Sequence, residues 1–308
     1  MIGARPVDAF ITGYEKMGAR TEFRDGKYFV SADGGLKGGE IFFDFQTVGG
    51  TETLMMSAVL AKGRTVLKNC AMEPEIVNLA SFLNKCGAKI KGAGTTTIEI
   101  EGGGLLKSGQ FSYKVMPDRI EAGSFLILGA GLGKNVELVD VDLSSMEAVI
   151  ALLEKTGADI SVKAGRIVVR RGEKILPADV RTHEYPGFPT DLQPQISAYL
   201  SQAEGESRIL ETIFENRFKY AEELVKLGAD ITIANPREVI IRGGKKFTAG
   251  EEGLKAHDIR AGFAVIIGAL FAEGRSVIED TEQVERGYEN LPGKLRALGA
   301  GIEEISIC

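Results

Sequence analysis

Three arginines occupy similar places before a recurring glycine, at positions where the sequence predicts that a helix begins. They are Arg5, Arg217 and Arg286, which lie 13, 11 and 13 residues before Gly18, Gly228 and Gly299. The N-terminus of a helix already attracts anions, so a structural arginine is more useful at the C-terminus. Several arginines at helix starts in one cleft are suited to binding phosphate or carboxylate groups. We therefore predict anion binding by at least two of them, with surface ion pairs as the alternative.

Four short polar side chains share a second position, at the predicted start of a longer apolar helix. They are Thr47, Asp118, Asp191 and Asp258. Residues of these types accept hydrogen bonds from the first free N–H groups of a helix, and each such cap is worth ~1 kcal/mol. Capping is accordingly the default prediction for all four. Ion pairs between Asp118 and Arg119, which we favour, and between Asp258 and Arg260 are the alternative.

These positions can be compared because the chain repeats itself. The phrases YEKMGAR, LNKCGAK, LEKTGAD, LVKLGAD and LRALGAG recur, and their glycines, spaced by 69, 70, 71 and 71 residues, are Gly18, Gly87, Gly157, Gly228 and Gly299. Each phrase predicts the last turn of an amphipathic helix, with glycine in the left-handed position that follows it. The chain then alternates, so that Ile98 and Ile100 should face inward and Glu99 and Glu101 outward.

A second phrase marks another helix end in four of the five units. Its glycines precede the next repeat glycine by 24, 24, 23 and 25 residues and are Gly63, Gly133, Gly205 and Gly274. One unit is therefore helix, strand, helix and strand pair. The first helices, such as SFLILGAGLG, are apolar on every side and must be enclosed, with the sheets outside them. We predict an α/β (α+β) fold, a two-domain inside-out α/β barrel. Domain 1–116 would hold the tail of one unit and a whole unit, and domain 117–308 three units.

Composition and charge exclude several classes of function. The chain has 308 residues, of which 44% are apolar and 26% charged, as in globular proteins. A net charge of −6 and a pI near 5.3 provide no basic surface for nucleic acid. The longest apolar run, at 261–272, is too short to cross a bilayer. We therefore expect neither nucleic-acid nor membrane partners.

The cysteines and histidines bear on compartment and cofactors. Three scattered cysteines, and an N-terminus without a signal-peptide pattern, favour the cytoplasm. His183 and His257 have no Cys or Glu partner at metal-ligand spacing. We therefore predict no metal and no cofactor.

Eight motifs, in order along the chain, resemble those of a known family. They are GARPVD (3–8), DFQTVGGTETLMM (44–56), EPEIV (73–77), MPDRIE (116–121), FPTDLQPQ (188–195), ETIFENRF (211–218), DIRAG (258–262) and ERGYE (285–289). The resemblance covers essentially the whole chain and is to the UDP-N-acetylglucosamine 1-carboxyvinyltransferases, the enolpyruvyl transferases that begin peptidoglycan synthesis. It implies the same two-domain fold, with three repeats per domain and the helices inside the sheets.

The resemblance implies transfer of an enolpyruvyl group from phosphoenolpyruvate to the 3-hydroxyl of UDP-N-acetylglucosamine. This chemistry needs a base at the hydroxyl, an acid at the methylene carbon, and cations around carboxylate and phosphate. By resemblance, Asp191 is the base at the sugar hydroxyl. Arg260 and Arg286, with Arg5, surround phosphoenolpyruvate and phosphate, and Arg217 lines the interdomain cleft. Roles in cell-wall biogenesis, cell shape, the cell cycle and cell division would follow.

The resemblance also implies where the nucleotide binds. The residues concerned are Arg5, Pro6, Val7, Asp8 and Ala9, then Phe45, Gln46, Thr47 and Val48, and finally Ile213. Backbone amides after Thr47 would hold the diphosphate, and Asp8 would accept a hydrogen bond from the uracil.

Relative to its own repeat, the chain begins within a unit, because it has five unit endings and four unit beginnings. In the family the proton-donating Cys lies on a loop directly before the first motif, whereas Cys70, Cys86 and Cys308 lie in other motifs. We therefore expect the 308-residue chain to lack the catalytic acid and to be inactive alone. Unpaired sheet edges should also make it poorly soluble.

Two alternative functions remain open from the sequence. The shikimate-pathway enolpyruvyl transferase shares the fold, although GARPVD and FENRF argue against it. A catalytically silent protein that binds the UDP-sugar is the other. The predicted partners are UDP-N-acetylglucosamine and phosphoenolpyruvate, and the sequence leaves the oligomeric state open.

Overall fold

A computed structural model of the protein describes residues 7–106, 109–163, 165–250 and 252–305. Within these ranges the chain forms two compact units that divide between Met116 and Pro117. Each unit has its own cluster of buried apolar side chains. Each therefore has the separate core that defines a domain.

The described part of the first unit contains three helices and six strands. These are α1 (Asp8–Lys16), β1 (Arg20–Arg24), β2 (Lys27–Ser31), β3 (Glu40–Phe42), α2 (Val48–Leu60), β4 (Gly63–Lys68), α3 (Pro74–Lys85), β5 (Ile90–Lys91) and β6 (Thr97–Gly102). The strands form one sheet of β1 and β2 and another in the order β3, β4, β6, β5. In β6 Ile98 and Ile100 are fully buried, whereas Glu99 and Glu101 are exposed, as the alternation predicted.

The described part of the second unit contains seven helices and nine strands. These are α4 (Arg119–Leu132), β7 (Val136–Leu138), α5 (Glu147–Lys155), β8 (Asp159–Lys163), β9 (Arg166–Arg170), β10 (Val180–Arg181), α6 (Gln193–Leu200), β11 (Glu206–Leu210), α7 (Lys219–Lys226), β12 (Asp230–Asn235), β13 (Glu238–Arg242), β14 (Leu254–Lys255), α8 (Ile259–Phe271), β15 (Ile278–Glu279), α9 (Glu282–Glu285) and α10 (Leu291–Ala297). Short 3₁₀ turns occupy Leu143–Ser145 and Thr190–Leu192. The sheets have the orders β7, β9, β8, then β10, β11, β13, β12, and lastly β14, β15.

The same succession of elements recurs along the chain. Helix, strand, helix and strand pair appear as α2, β4, α3, β5–β6, then as α4, β7, α5, β8–β9, and again as α6, β11, α7, β12–β13. In each of these three repeats the first strand pairs antiparallel with the last: β4 with β6, β7 with β9, and β11 with β13. The five repeat glycines, from Gly18 to Gly299, all have φ between +84° and +102°, which glycine adopts without strain. The predicted fold class is confirmed.

The first helices of the repeats in the second compact unit are enclosed by its sheets, whereas α2 of the first unit leaves Met56 and Leu60 exposed. Every residue of α6 is buried, and α4 is buried without interruption from Ala122 to Gly131. Ile167 and Val169 of β9, which packs on α4, are also fully buried. Helices this apolar require protein on all sides, so they lie inside the sheets, as predicted. None of the described helices has the length and apolarity needed to span a membrane.

Candidate active site

Helices α4 and α8 of the second unit run parallel. Near their starts the rings of Phe125 and Phe263 pack with centroids 5.6 Å apart. Farther along, a Cβ added at Gly131 would overlap Phe271. Because the contacts follow the same order along both helices, their N-termini lie at the same end of the unit.

Helix α6 lies alongside α4 in the same direction. A Cβ at Gly123 would overlap Leu192, just before α6, and a Cβ at Gly131 would lie 3.4 Å from Tyr199 near its end. Between these points Ser124 accepts a hydrogen bond from the Gln195 amide at 3.2 Å. The starts of α4, α6 and α8 are therefore brought together.

Three of the four predicted cap residues do cap their helices. Asp118 accepts hydrogen bonds from the N–H groups two and three residues ahead, at 2.8 and 2.9 Å. Asp258 accepts two equivalent bonds at 2.8 and 2.9 Å. In the first unit Thr47 accepts one from the Gly50 N–H at 3.2 Å. The guanidinium of Arg119 lies over the Tyr185 ring, 5.7 Å from its centroid.

Asp191 is the exception, and its prediction as a cap is wrong. It lies in the 3₁₀ turn, Leu192 is the residue that precedes α6, and α6 has no side-chain cap. Its Oδ1 instead accepts a hydrogen bond from Arg217 Nη2 at 2.8 Å, and its Oδ2 accepts one from Arg260 Nε at 3.1 Å. The carboxylate is therefore held between two arginines. Arg260 forms its ion pair with Asp191 and not with Asp258, so the alternative prediction of an ion pair between Asp258 and Arg260 is wrong.

This ion-pair cluster determines the protonation of Asp191. Burial acts to raise the pKa of the carboxyl group, but the charges and hydrogen bonds of Arg217 and Arg260 outweigh it and hold the pKa below its usual value. Burial likewise acts to lower the pKa of the Arg260 guanidinium, and Asp191 and Tyr288 more than compensate. Asp191 is accordingly an ionised carboxylate at neutral pH, able to accept a proton.

Arg217 is fixed by the loop between β11 and α7. Its Nη1 donates to Thr190 Oγ1 at 2.7 Å, and its guanidinium lies over the Phe214 ring at 5.1 Å. Ile213, a predicted nucleotide contact, lies partly buried in the same loop. The loop therefore links Arg217 to the turn that carries Asp191.

Arg260 is the second residue of α8 and also packs against Tyr288. Its guanidinium lies 5.7 Å from the centroid of the Tyr288 ring. Its Nη1 is buried and has no hydrogen-bond partner among the described residues. A cation at the joined starts of three helices is suited to a carboxylate or phosphate.

Arg286 does not lie at a helix start, contrary to the sequence prediction. It follows α9, and α10 begins only at Leu291. Arg286 is exposed, donates to Gln283 Oε1 at 3.3 Å, and lines a cavity of about 690 Å³ together with Asp118 and Tyr288. Tyr288 connects this cavity to Arg260, whereas Asp191 does not line it.

In the first unit, α1 and α2 also run parallel. A Cβ at Gly49 would touch the Phe10 ring at 3.3 Å, and farther along the Tyr14 and Ser57 hydroxyls are 3.1 Å apart. Both helix N-termini therefore lie side by side, an arrangement that attracts anions.

The predicted nucleotide-binding residues of the first unit lie around these two helix starts. Val7 and Asp8 are exposed and Ala9 is partly buried at the start of α1; Phe45 and Val48 are exposed, and Gln46 and Thr47 partly buried, at the start of α2. Arg5 and Pro6 lie outside the described residues.

Sequence reasoning overlooked two residues that support the cluster. Glu211 is fully buried, and its Oε2 accepts a hydrogen bond at 2.8 Å from Thr190 Oγ1, the hydroxyl that also contacts Arg217. Both residues stand in motifs already singled out, Thr190 beside Asp191 and Glu211 six residues before Arg217. An acidic residue directly after an alternating strand was the available signal.

The described cysteines are unsuited to acid catalysis. Cys70 is fully buried, and burial raises its pKa to about 12. Cys86 is also buried, and Cys308 lies outside the described residues. His257 does have a carboxylate neighbour that spacing missed, Glu223, at 2.9 Å. In the described ranges no three or more His, Cys, Asp or Glu residues are arranged to hold a metal ion.

Comparison with known proteins identifies the class that this fold and site define. The family described as EPSP synthase (3-phosphoshikimate 1-carboxyvinyltransferase) matches residues 1–295. The enolpyruvyl transferase NikO from Streptomyces tendae superposes with a TM-score of 0.85 at 23% identity, over 96% of this chain and 72% of that one. EPSP synthase from Acinetobacter baumannii gives a TM-score of 0.70 at 21% identity, over 96% and 71%. The fold is that of an enolpyruvyl transferase.

Sequence relatives identify the branch of that class. UDP-N-acetylglucosamine 1-carboxyvinyltransferase 1 of Caldanaerobacter subterraneus subsp. tengcongensis is 46% identical over 301 residues, which are 98% of this chain and 71% of the relative. The enzyme of the same name from Carboxydothermus hydrogenoformans is 45% identical over 306 residues, 99% and 71% of the two chains. The chain belongs to the UDP-N-acetylglucosamine 1-carboxyvinyltransferase family. The shikimate-pathway alternative is less supported, since the EPSP synthase structures share only 21% identity.

Proposed function

We propose that the protein transfers the enolpyruvyl group of phosphoenolpyruvate to the 3-hydroxyl of UDP-N-acetylglucosamine. The single observation that carries the proposal is the carboxylate of Asp191, held between Arg217 and Arg260 where three enclosed helices begin. Relatives 43 to 46% identical bear the name of this enzyme. The reaction is the first committed step of peptidoglycan synthesis and links the protein to cell-wall biogenesis, cell shape and division. The cytoplasm stays a prediction from the sequence.

The two units supply different parts of the chemistry. We assign nucleotide binding to the paired helix starts of the first unit. The first turn of α2 has no acidic side chain that would compete with an anion at the amides after Thr47. Ile213, in the second unit, is assigned a further nucleotide contact. Arg260 and Arg286 are assigned to the carboxylate and phosphate of phosphoenolpyruvate. Arg217 is assigned to substrate binding through its hold on Asp191.

The transfer takes place by addition and then elimination. Asp191 takes the proton of the 3-hydroxyl while the oxygen attacks C2 of phosphoenolpyruvate, and an acid adds a proton to C3. A C3 proton then returns to the conjugate base of the acid while the C2–O bond to phosphate breaks, and phosphate leaves with the proton that Asp191 had taken up. The double bond is restored, and the products are the enolpyruvyl ether and inorganic phosphate. Neither Cys70 nor Cys86 is suited to be that acid, because both are buried.

Arg260 connects substrate binding to the strength of the base. While both arginines contact Asp191, its lowered pKa makes it a weak base. An anionic substrate competes for Arg260, and each interaction withdrawn from Asp191 raises its pKa toward the usual value. Phosphoenolpyruvate would thus strengthen the base on binding.

The proposal is tested by binding and by turnover. Isothermal titration of the 308-residue chain with UDP-N-acetylglucosamine should show saturable binding. Phosphate release from phosphoenolpyruvate is then measured for the chain and for a chimera in which the Caldanaerobacter relative supplies the part of its length that this chain does not match. We expect the chimera to release phosphate only when the UDP-sugar is present. Binding without turnover in the chimera would favour a silent UDP-sugar binder, and release that requires shikimate 3-phosphate would favour the shikimate enzyme.

A further inference from the structure

Glu211 is a buried carboxylate directly behind the ion pair of Asp191 and Arg217. It follows β11, is fully buried, and forms no ion pair with any described lysine, arginine or histidine. Four hydrogen bonds replace the lost water, and their donors are Thr182 Oγ1 (3.0 Å), Thr190 Oγ1 (2.8 Å), and the N–H groups of Ile213 (2.8 Å) and Phe214 (3.1 Å). Such a group is costly to bury unless it is hydrogen bonded in this way.

The direction of both hydroxyl bonds is fixed by their other partners. Thr182 Oγ1 accepts from the Thr212 N–H at 2.9 Å, and Thr190 Oγ1 accepts from Arg217 Nη1 at 2.7 Å. A hydroxyl has a single hydrogen, so each directs it at Glu211. Because Thr190 donates to Glu211, its lone pairs face Arg217.

The chain of contacts continues to the proposed base. Arg217 uses Nη1 for Thr190 and Nη2 for Asp191, so one guanidinium plane joins the two adjacent residues. Thr190 is anchored by Glu211 on its other side. The position of Arg217 relative to Asp191 therefore depends on a carboxylate that touches neither.

In the other repeats, a residue that follows the first strand has a different backbone conformation from Glu211. Asn69 and Asp280 stand directly after β4 and β15, and Asp140 stands two residues after β7, all with left-handed backbone at φ of 58°, 58° and 55°. Asn69 uses its side chain for the turn, donating to the Phe43 carbonyl at 2.8 Å. After β11 the residue is Glu211, and the left-handed residue comes only at Asn216, with φ of 56°. The departure coincides with α6, which alone among α2, α4, α6 and α8 lacks a side-chain cap.

We propose that Glu211 is a positioning residue for enolpyruvyl transfer, which directs the Thr190 hydroxyl and thereby holds Arg217 on the carboxylate of Asp191. This inference rests on the proposed function for its catalytic meaning. Its geometric content, that Glu211 controls the contact between Arg217 and Asp191, can be measured without turnover.

The test is the titration of Asp191, followed by ¹³C NMR of the Asp carboxyl carbons and assigned with Asp191→Asn. In Glu211→Gln we expect its titration midpoint to rise by about half to one pH unit, because Arg217 loses its fixed acceptor and shifts from Asp191. Removal of the negative charge alone acts in the opposite direction and would lower the midpoint. A rise therefore supports positioning, and a fall or no change overturns it.

Thr190→Val removes the hydroxyl that joins Glu211 to Arg217 without changing any charge. It is the second variant, to be used if Glu211→Gln does not fold. It should raise the midpoint by a similar amount, and the double variant should add little, since both act through one path. Glu223→Gln is the matched control, because Glu223 is equally enclosed, with a side chain 4% exposed, but is paired with Lys226 and His257. It should lose thermal stability and leave Asp191 unshifted. An equal shift in this control would make the effect a general loosening of the unit and overturn the proposal.

Kinetics of the chimera then separate this inference from the proposed function. In Thr190→Val we expect kcat to fall about tenfold, with the Kd for UDP-N-acetylglucosamine unchanged. If kcat is unchanged while the titration midpoint of Asp191 rises, Glu211 only holds Arg217 in place, and its role in catalysis is overturned. A wild-type chimera that shows no turnover would instead count against the proposed function, while the NMR result still decides the contact.

Discussion

The four comparable helix starts differ in one respect that identifies the site. At three of them Thr47, Asp118 and Asp258 use their side chains to cap the helix. At the fourth, Asp191 leaves the helix uncapped and holds Arg217 and Arg260. The repeat shows what this position does when it serves structure alone. A departure from it gives up a cap of ~1 kcal/mol and marks a residue used for something else.

The largest effect should come from removing the carboxylate at the exceptional start. Asp191→Asn should lower kcat of the chimera by about 10²- to 10⁴-fold, because the amide cannot accept the hydroxyl proton. KM should change much less, since proton removal belongs to the transition state. Asp258→Asn is the control, and it should keep near-normal phosphate release because Asn caps a helix as well as Asp. Similar rates in the two variants would remove the distinction between the two starts.

A smaller effect is expected from Arg260. Arg260→Gln should raise the KM for phosphoenolpyruvate about 10- to 100-fold, the loss expected for a hydrogen bond to a charged group. The Kd for UDP-N-acetylglucosamine, measured by titration calorimetry, should not change. Arg242→Gln, which removes a surface arginine paired with Glu206, supplies the control. Unaltered KM in Arg260→Gln would show that the Arg260 guanidinium does not contact the substrate.

The pH dependence of kcat/KM should report how the two arginines set the pKa of Asp191. A base whose pKa is lowered stays ionised as the pH falls, so activity should be lost only below the usual range of an aspartate. Arg217→Gln removes one of the two charges that lower the pKa, and the acid limb of the profile should move to higher pH. Within that limb activity should fall about tenfold relative to the parent for a shift of one unit. A limb that stays in place or moves down would show that Arg217 does not tune the base.

The smallest effects concern stability. Asp258→Ala should lower the free energy of unfolding by ~1 kcal/mol, and Asp258→Asn by only a few tenths, because the amide oxygen still caps. For Asp191 the amide should recover no capping energy relative to alanine, since no cap exists there. Urea unfolding of the four variants gives the comparison. An advantage of Asp191→Asn over Asp191→Ala that persists when Arg217 and Arg260 are also replaced would mean that Asp191 caps α6 after all.

Local patterns made much of the fold predictable. The repeat glycines, the caps at Asp118 and Asp258, and the enclosure of α4 and α8 depend on residues within a few positions of one another. Asp191 could not be separated from the caps in this way, because its partners lie 26 and 69 residues away. Only tertiary packing brings them together.

Two other features show where sequence patterns failed. Arg286 was placed at a helix start, but Asn290 adopts a left-handed conformation at φ of 48° and α10 begins after it. Glu211 was overlooked because a charged residue after a strand is ordinarily exposed. Its burial is possible only with the four donors that the folded chain gathers around it. The roles of Arg260 and Arg286 at phosphoenolpyruvate stay predictions.

The most direct measurement is a crystal structure of the chimera with UDP-N-acetylglucosamine bound. If Asp191 is the base, the sugar 3-hydroxyl should lie within about 2.6 to 3.2 Å of one of its carboxylate oxygens, the reach required for proton transfer. At least one arginine contact to Asp191 should persist and keep the carboxylate oriented. A complex in which both arginines remain on Asp191 and the 3-hydroxyl contacts another residue would contradict the assignment of catalysis to this helix start.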